Sequence, residues 1–434
     1  MTDLSDTLLP RLLARRLPGL PPLPAEFVVP DYEGGSIANL PGQVASWLGA
    51  GAEGTGSSFG SGGLHPEWIG PLTGPVSRVV MVLVDALGFQ RFRGLLNEPG
   101  SAWQWLAQRG VLAPLTSVFP STTTAALTSL STGLAPGRHG MLGYELWLKE
   151  FGMTANMIQL QPMAGGHTTG SLVEVGLDQE KFIRAPILAQ HLSGQGVDVH
   201  AFLPAFIVGS GLTRMSLGRV ARHPFHTPAD LWTGLRQLLV ATPGARQFVW
   251  AYWPMVDTLS HQYGPADESV TREAQAFGEM LRQAFLEPLP AAARAGTLFV
   301  LLADHGQVDT PPVDDFNLNN HPEFLNMLHI LPTGEHRASY LHCRPGQVDA
   351  ARAYIEQRWP DDFVVLPQEA VMRSGLLGRE LDERTPARLG ELLVLSRGAA
   401  YLWWAPEVNR MRGRHGSLTQ AEMLVPLLAA RLDA

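Results

Sequence analysis

The chain has 434 residues, 45% of them hydrophobic, enough for one large α/β domain with an accessory unit or for two or three ordinary domains. A formal net charge of -8 without basic clusters gives no sign of a nucleic-acid-binding surface. The single cysteine, Cys343, excludes an internal disulfide and fits a reducing, cytoplasmic setting; no apolar run approaches the roughly 18 residues of a membrane span.

Residues 1–75 are rich in Gly and Pro. Arg11, Arg15 and Arg16 interrupt the leucines near the start and Pro18 ends the pattern, so no signal peptide is expected. Short helices are expected over 8–17 and 43–48, and a Gly/Ser-rich flexible loop over 50–63. Too little apolar periodicity is present for this segment to fold alone, so it is expected to wrap over the main body.

The run VVMVLV between Arg78 and Asp85 is apolar throughout, the pattern of a strand buried on both faces of a parallel sheet. Asp85 closes it, and ligands of open α/β sheets gather outside the carboxyl ends of strands. A helix over 102–109 and a strand over 111–115 lead to FPSTTTAALTSLSTG, residues 119–133. Its threonines, Thr122, Thr123 and Thr124, precede good helix formers. Such hydroxyls cap helix N-termini, and they also sit where free N–H groups and the helix dipole favour an anionic oxygen.

The loop after Gly133 carries His139, Tyr144 and Trp147. Helices over 187–193 and 229–240 and strands over 197–202 and 247–254 follow. Asp257 and His261 come next, four residues apart and on one face of a helix. A long helix is expected over 268–285 and a buried strand over 297–303, ending in Asp304-His305-Gly306. Two polar side chains at a core edge call for a partner. A polar loop over 308–322 leads to a small βαβ unit over 338–343, 348–358 and 363–366 and a strand over 391–396. Arg414-His415-Gly416 precedes a last helix over 420–432. Carboxylates and imidazoles at these strand ends are the usual ligands of zinc and similar divalent ions.

The motifs VVMVLVDALG, FPSTTTAALTSLSTGLAPGRHG, WPMVDTLSHQYGP, LLADHGQV and GRHGSLT, in this order over about 78–420, resemble the alkaline phosphatase superfamily and most closely its nucleotide pyrophosphatase/phosphodiesterase branch. The resemblance implies an α/β fold: a mostly parallel sheet flanked by helices, with a small α/β cap near the C-terminus. The expected division is an N-terminal arm over 1–75, a catalytic domain over 76–307 and 396–434, and a cap over 308–395. It further implies two divalent ions, zinc first with manganese as the alternative. Asp85, Thr123, Asp304 and His305 would hold one, and Asp257, His261 and His415 the other. The family pattern Phe-Pro-Thr-x-Thr falls on Phe119, Pro120, Ser121, Thr122 and Thr123, which makes Thr123 the nucleophile and Thr122 and Thr124 its rivals under a register slip.

The implied activity is hydrolysis of small-molecule phosphate diesters or pyrophosphates through a phosphothreonine intermediate. A phosphomonoesterase, phosphonate hydrolase or phosphosugar mutase on the same metals is the alternative, and a non-catalytic binding module on the same scaffold the third reading. The sequence departs from the diesterase branch at Thr124-Ala125-Ala126-Leu127, where a base-stacking Phe followed by Pro, Asn and His is usual. It departs again near Tyr144, which stands where a phosphate-binding Asn is usual; Tyr144 is the candidate substrate-binding residue. Trp147, Phe202 and Phe206 are candidates to line a substrate pocket.

Overall fold

A computed structural model describes residues 2–51, 59–70, 72–164 and 168–434. The loop expected over 50–63 therefore lies in part outside the described residues. The central sheet has eight strands in the order Thr2–Asp3, Gly110–Thr116, Leu424–Arg431, Thr297–Leu302, Arg78–Val84, Gln247–Trp253, Asp198–Pro204 and Ala221–Phe225. All neighbours run parallel except Leu424–Arg431, which is antiparallel to both of its partners. Helices cover the sheet, and Arg78–Val84, Gln247–Trp253 and Thr297–Leu302 are buried at every position. Their unbroken apolar runs are what a doubly covered parallel sheet requires.

The last helix expected over 420–432 is mostly a strand. Only Gln420–Met423 is helical, and Leu424–Arg431 fills the slot between Gly110–Thr116 and Thr297–Leu302. Leucine and alanine prefer helix by at most about 0.7 kcal/mol per residue, whereas full burial of one leucine or valine is worth about 1.5–3 kcal/mol. Seven of the eight residues are buried, so the sheet wins. Pro426 was the available clue: it opposes helix continuation and here lies opposite Pro114.

A second sheet has seven strands in the order Phe363–Pro367, Leu392–Ser396, Ala338–Leu341, Thr333–Glu335, Glu145–Leu148, Met153–Asn156 and Gln161–Pro162. Three of them come from 145–162. The strands of the expected βαβ unit are not neighbours, because Leu392–Ser396 inserts between Ala338–Leu341 and Phe363–Pro367, antiparallel to both. This sheet has its own apolar cluster, with Leu341, Ile355, Trp359 and Trp404. The long helix ends as an α-helix at Leu281 and continues as a π-helical turn over Arg282–Leu286.

The N-terminal segment packs on the core. Thr2–Asp3 pairs with Gly110–Thr116, Leu8 and Leu12 of helix Ser5–Ala14 are buried, and the Trp68 indole donates to Pro114 O at 2.8 Å. That helix begins and ends three residues earlier than expected. No helix among the described residues is long and apolar enough to cross a membrane.

Candidate active site

Three central strands deliver acids to one edge of the sheet. Asp85 follows Arg78–Val84, Asp304 follows Thr297–Leu302, and Gln247–Trp253 leads into helix Met255–Tyr263 with Asp257 in its first turn and His261 in its last. The chain turns sharply after Asp85, with Ala86 at φ 57°, a backbone state that non-glycine residues rarely adopt outside constrained sites. The Ala86 amide then donates to Asp304 Oδ1 at 3.1 Å, tying the first and third strand ends together.

His415 arrives from much farther along the chain. Val308–Asp309 and Gly413–Arg414 form a two-stranded antiparallel ribbon with Val308 opposite Arg414. The ribbon closes the excursion over 310–412 and stacks the His415 ring on His305 at 3.7 Å between centroids. Thr123 is the first residue of helix Thr123–Thr132, and extended Thr122 turns the chain into it.

Each imidazole is oriented by a backbone carbonyl. Nδ1 of His261 lies 2.7 Å from Gly413 O, that of His415 lies 2.9 Å from Ser121 O, and that of His305 lies 3.1 Å from Gly306 O. Donation from Nδ1 fixes the tautomer and leaves the Nε2 lone pair as the ligand, the usual second partner of a metal-binding histidine.

The Nε2 atoms meet carboxylates and a hydroxyl. His305 Nε2 lies 3.2 Å from Thr123 Oγ1, 3.5 Å from Asp85 Oδ1 and 3.4 Å from Asp304 Oδ2. A tetrahedral ion with ligand bonds near 2.0–2.1 Å spaces its ligands about 3.3 Å apart. Asp85 Oδ1 and Asp304 Oδ2 are buried and have no hydrogen-bond partner. Beside them, Asp257 Oδ1 lies 3.2 Å from His261 Nε2 and 3.8 Å from His415 Nε2. Ligand atoms of Asp257, His261 and His415 lie within 4.8 Å of one another, as do those of Asp85, Asp257 and His305, so Asp257 stands between the two sets. The donor chemistry, the spacing and the orphaned oxygens all fit divalent ions.

The electrostatics agree. Burial drives the Asp85 carboxyl well above its usual range, and facing Asp304 and Asp257 push it further. Burial also raises Asp304. Burial pushes Asp257 up too, but His261, His415 and His305 outweigh it and hold that carboxyl low. Burial, then the neighbouring His305, presses His415 well below the usual imidazole value. Carboxylates crowded in this way are costly without a compensating cation.

Of the three threonines, only Thr123 has its hydroxyl against His305. Thr122 donates to Glu335 Oε1 at 2.5 Å, and Thr124 is buried with its hydroxyl unpaired. Tyr144 sits alongside. Its amide donates to Glu335 Oε1 at 2.8 Å, its hydroxyl accepts from Asn156 at 2.5 Å, and burial pushes its phenol up to about 12. Phe206 lines the cavity beside Thr123. Phe202 instead stacks on His223 at 4.4 Å, and Trp147 lies against His342 at 6.4 Å.

Three further residues escaped the sequence reading. The Tyr252 hydroxyl donates to Asp85 Oδ2, and the Gln307 amide donates to Asp257 Oδ1 at 2.5 Å. Glu335 reaches the site from the second sheet, its carboxyl pushed up to about 7 chiefly by burial. Gln307 stands inside a motif already singled out, and Tyr252 lies on an expected strand, one residue before another motif. Nothing local marked Glu335, because only the pairing of the second sheet brings it to Thr122.

The sequence model of the type I phosphodiesterase/nucleotide pyrophosphatase family matches residues 79–418. Human ectonucleotide pyrophosphatase/phosphodiesterase 5 superposes with a TM-score of 0.59 at 15% identity, over 81% of this chain and 87% of that one. The murine protein gives 0.58 at 14%, over 80% and 87%. An inactive variant of the murine protein has been solved in complex with AMP. Phosphonoacetate hydrolase from Sinorhizobium meliloti 1021, in complex with phosphonoformate, gives 0.56 at 18%, over 81% and 89%. At these identities the likeness establishes the fold. A search of curated protein sequences gave no match. With the family model spanning most of the chain and the ordered strand-end acids in place, the protein belongs to the type I phosphodiesterase/nucleotide pyrophosphatase family of the alkaline phosphatase superfamily.

Proposed function

We propose that the protein is a two-metal hydrolase of small-molecule phosphate diesters that uses Thr123 as its nucleophile. The observation that carries this reading is the convergence of Thr123 Oγ1, Asp85 Oδ1 and Asp304 Oδ2 on His305 Nε2 at 3.2–3.5 Å. Asp85, Thr123, Asp304 and His305 would hold one divalent ion, and Asp257, His261 and His415 the second. Zinc suits these ligands, and manganese accepts the same oxygen-rich set. When bound, the ions supply the Lewis acidity that favours ionised threonine and offsets charge on the attacking and leaving oxygens.

The chain's own groups do the rest. Thr123 Oγ1 loses its proton to solvent and bonds to phosphorus while the bond from phosphorus to the leaving oxygen breaks. The leaving oxygen takes up a proton from water. A water molecule then adds to the phosphothreonine, the bond from phosphorus to Oγ1 breaks, and Thr123 regains a proton. The free N–H groups in the first turn of Thr123–Thr132 face a non-bridging oxygen, with the helix dipole behind them. Tyr144 is protonated at neutral pH, and its hydroxyl already accepts from Asn156, so its own hydrogen is available to the phosphate.

The test compares bis-(p-nitrophenyl) phosphate with p-nitrophenyl phosphate, with zinc or manganese and with chelator, in the native chain and in Thr123→Ala. Diester turnover that is lost with chelator and in the variant is expected. Full metal-dependent turnover by Thr123→Ala would remove the nucleophile assignment, and preference for the monoester would move the protein to the phosphomonoesterase reading.

A further inference from the structure

A cavity of about 210 Å³ opens from Thr123 and Asp85 into the protein. Leu127 and Leu130 line it from helix Thr123–Thr132, four and seven residues beyond Thr123 and so on its face of the helix. Leu212 lines it from helix Gly211–Leu217, and Trp250 and Tyr252 line it from alternate positions of strand Gln247–Trp253. Phe206, 75% exposed, belongs to its rim.

Charge is confined to one end. Among the described residues, Asp85 and Asp257 are the only lining residues ionisable at neutral pH, and none is Arg, Lys or His. The hydroxyls in the wall are mostly spent within it. Ser131 donates to Thr128 O, Thr213 to Ile207 O and Ser210 to Thr213. The Ser216 hydroxyl is buried without a partner.

We infer that this cavity receives an uncharged hydrocarbon group esterified to the phosphate, so that the preferred substrates are alkyl phosphodiesters. The inference rests on the proposed hydrolysis and narrows its substrate class. A second phosphate, as in a pyrophosphate, or a carboxylate, as in a carboxylated phosphonate, would be desolvated here with no cationic side chain among the described lining residues to pair with it. A nucleobase would bury several polar edge atoms against one available hydroxyl. A hydrocarbon leaves nothing unpaired and gains contact with leucine and aromatic side chains throughout.

The experiment is a competition among methyl n-alkyl phosphates, from methyl to decyl, with the metal-loaded protein, followed by phosphorus NMR. Relative kcat/KM is expected to rise roughly fourfold per methylene, equivalent to about 0.8 kcal/mol, and to level off once the chain fills the cavity. Leu127 is only partly buried, so Leu127→Lys, or the milder Leu127→Gln, can be made without opening the core, and either should flatten the slope. Calorimetry of n-alkylphosphonates binding to Thr123→Ala gives a second readout without turnover, in which affinity should climb with chain length in the same way. Turnover with no chain-length dependence, or a nucleoside methyl phosphate outcompeting the heptyl ester, would overturn the inference. Rising alkylphosphonate affinity without hydrolysis of any ester would keep the cavity assignment and remove the hydrolytic reading. Flat affinity without hydrolysis would remove both.

Discussion

The two proposed ligand sets differ in how far they are closed to water and in how their charge is balanced. The side chains of Asp85, Asp304 and His305 are 3%, 0% and 0% exposed, while those of Asp257, His261 and His415 are 16%, 25% and 8% exposed. The closed set hangs on two strand ends and carries two carboxyls that burial drives upward. The open set hangs on a helix and a ribbon, and its imidazoles pull Asp257 down against the effect of burial. A site out of electrostatic balance without a cation stands beside Thr123. A site that balances itself stands nearer solvent.

Thr123 is where the comparison is tested hardest. If the closed set serves to ionise its hydroxyl, Thr123→Ala should lower kcat on the order of 10³-fold or more while both ions still bind. Steady-state kinetics with metal analysis checks this, and a loss below tenfold would detach the closed set from the chemistry.

Ligand removal should affect the two sets in opposite ways when metal is absent. In chelated protein, Asp304→Asn removes one of two crowded carboxyls and should match or exceed native stability. His261→Ala deprives Asp257 of its nearest counter-charge and should cost about 1–2 kcal/mol, a value kept modest by partial exposure. Both variants should bind one zinc ion fewer than the native chain. Denaturant melts with and without zinc decide it; equal destabilisation by both would end the contrast.

Gln307 sharpens the open set from outside. It holds Asp257 by a hydrogen bond, and the loss of such an outer partner typically weakens metal binding by about 10- to 100-fold. Gln307→Ala should therefore weaken zinc binding in a titration, most strongly in the phase that belongs to the open set.

The second sheet provides a control outside the proposed ligand sets. Burial pushes the Glu145 carboxyl up to about 8 from 4.5, against the indole N–H of Trp404. Between those values the folded chain keeps a proton that the unfolded chain has released. Its contribution is therefore favourable below about pH 4.5 and is lost as pH rises towards about 8. Glu145→Gln keeps an acceptor for Trp404. It should match the native chain near pH 5 and exceed it by a few kcal/mol near pH 9, as read from melts at both pH values.

Much of the site could be read from short stretches because its residues stand where local pattern is strongest. A fully apolar run predicts a doubly buried strand, and the acid that ends it must then lie at the sheet edge, as Asp85 and Asp304 do. The i, i+4 spacing puts Asp257 and His261 on one face of a helix, as found. Residues whose place depends on non-local pairing could not be read this way. Glu335 reaches Thr122 through the second sheet, and the cavity beside Thr123 is walled by segments lying between 85 and 258.

By itself the sequence determined the parallel strands, the acids at their ends, the threonine-led helix and, through ordered motifs, the family. Tertiary structure decided the rest. Leu424–Arg431 became a central strand because burial in a waiting slot outweighs weak helix preference. Thr123, not Thr122 or Thr124, faces His305 because the helix start fixes which hydroxyl points towards the strand ends. His415 joins His305 because a two-residue ribbon closes a loop of about a hundred residues, and loop-closure cost grows only slowly with length.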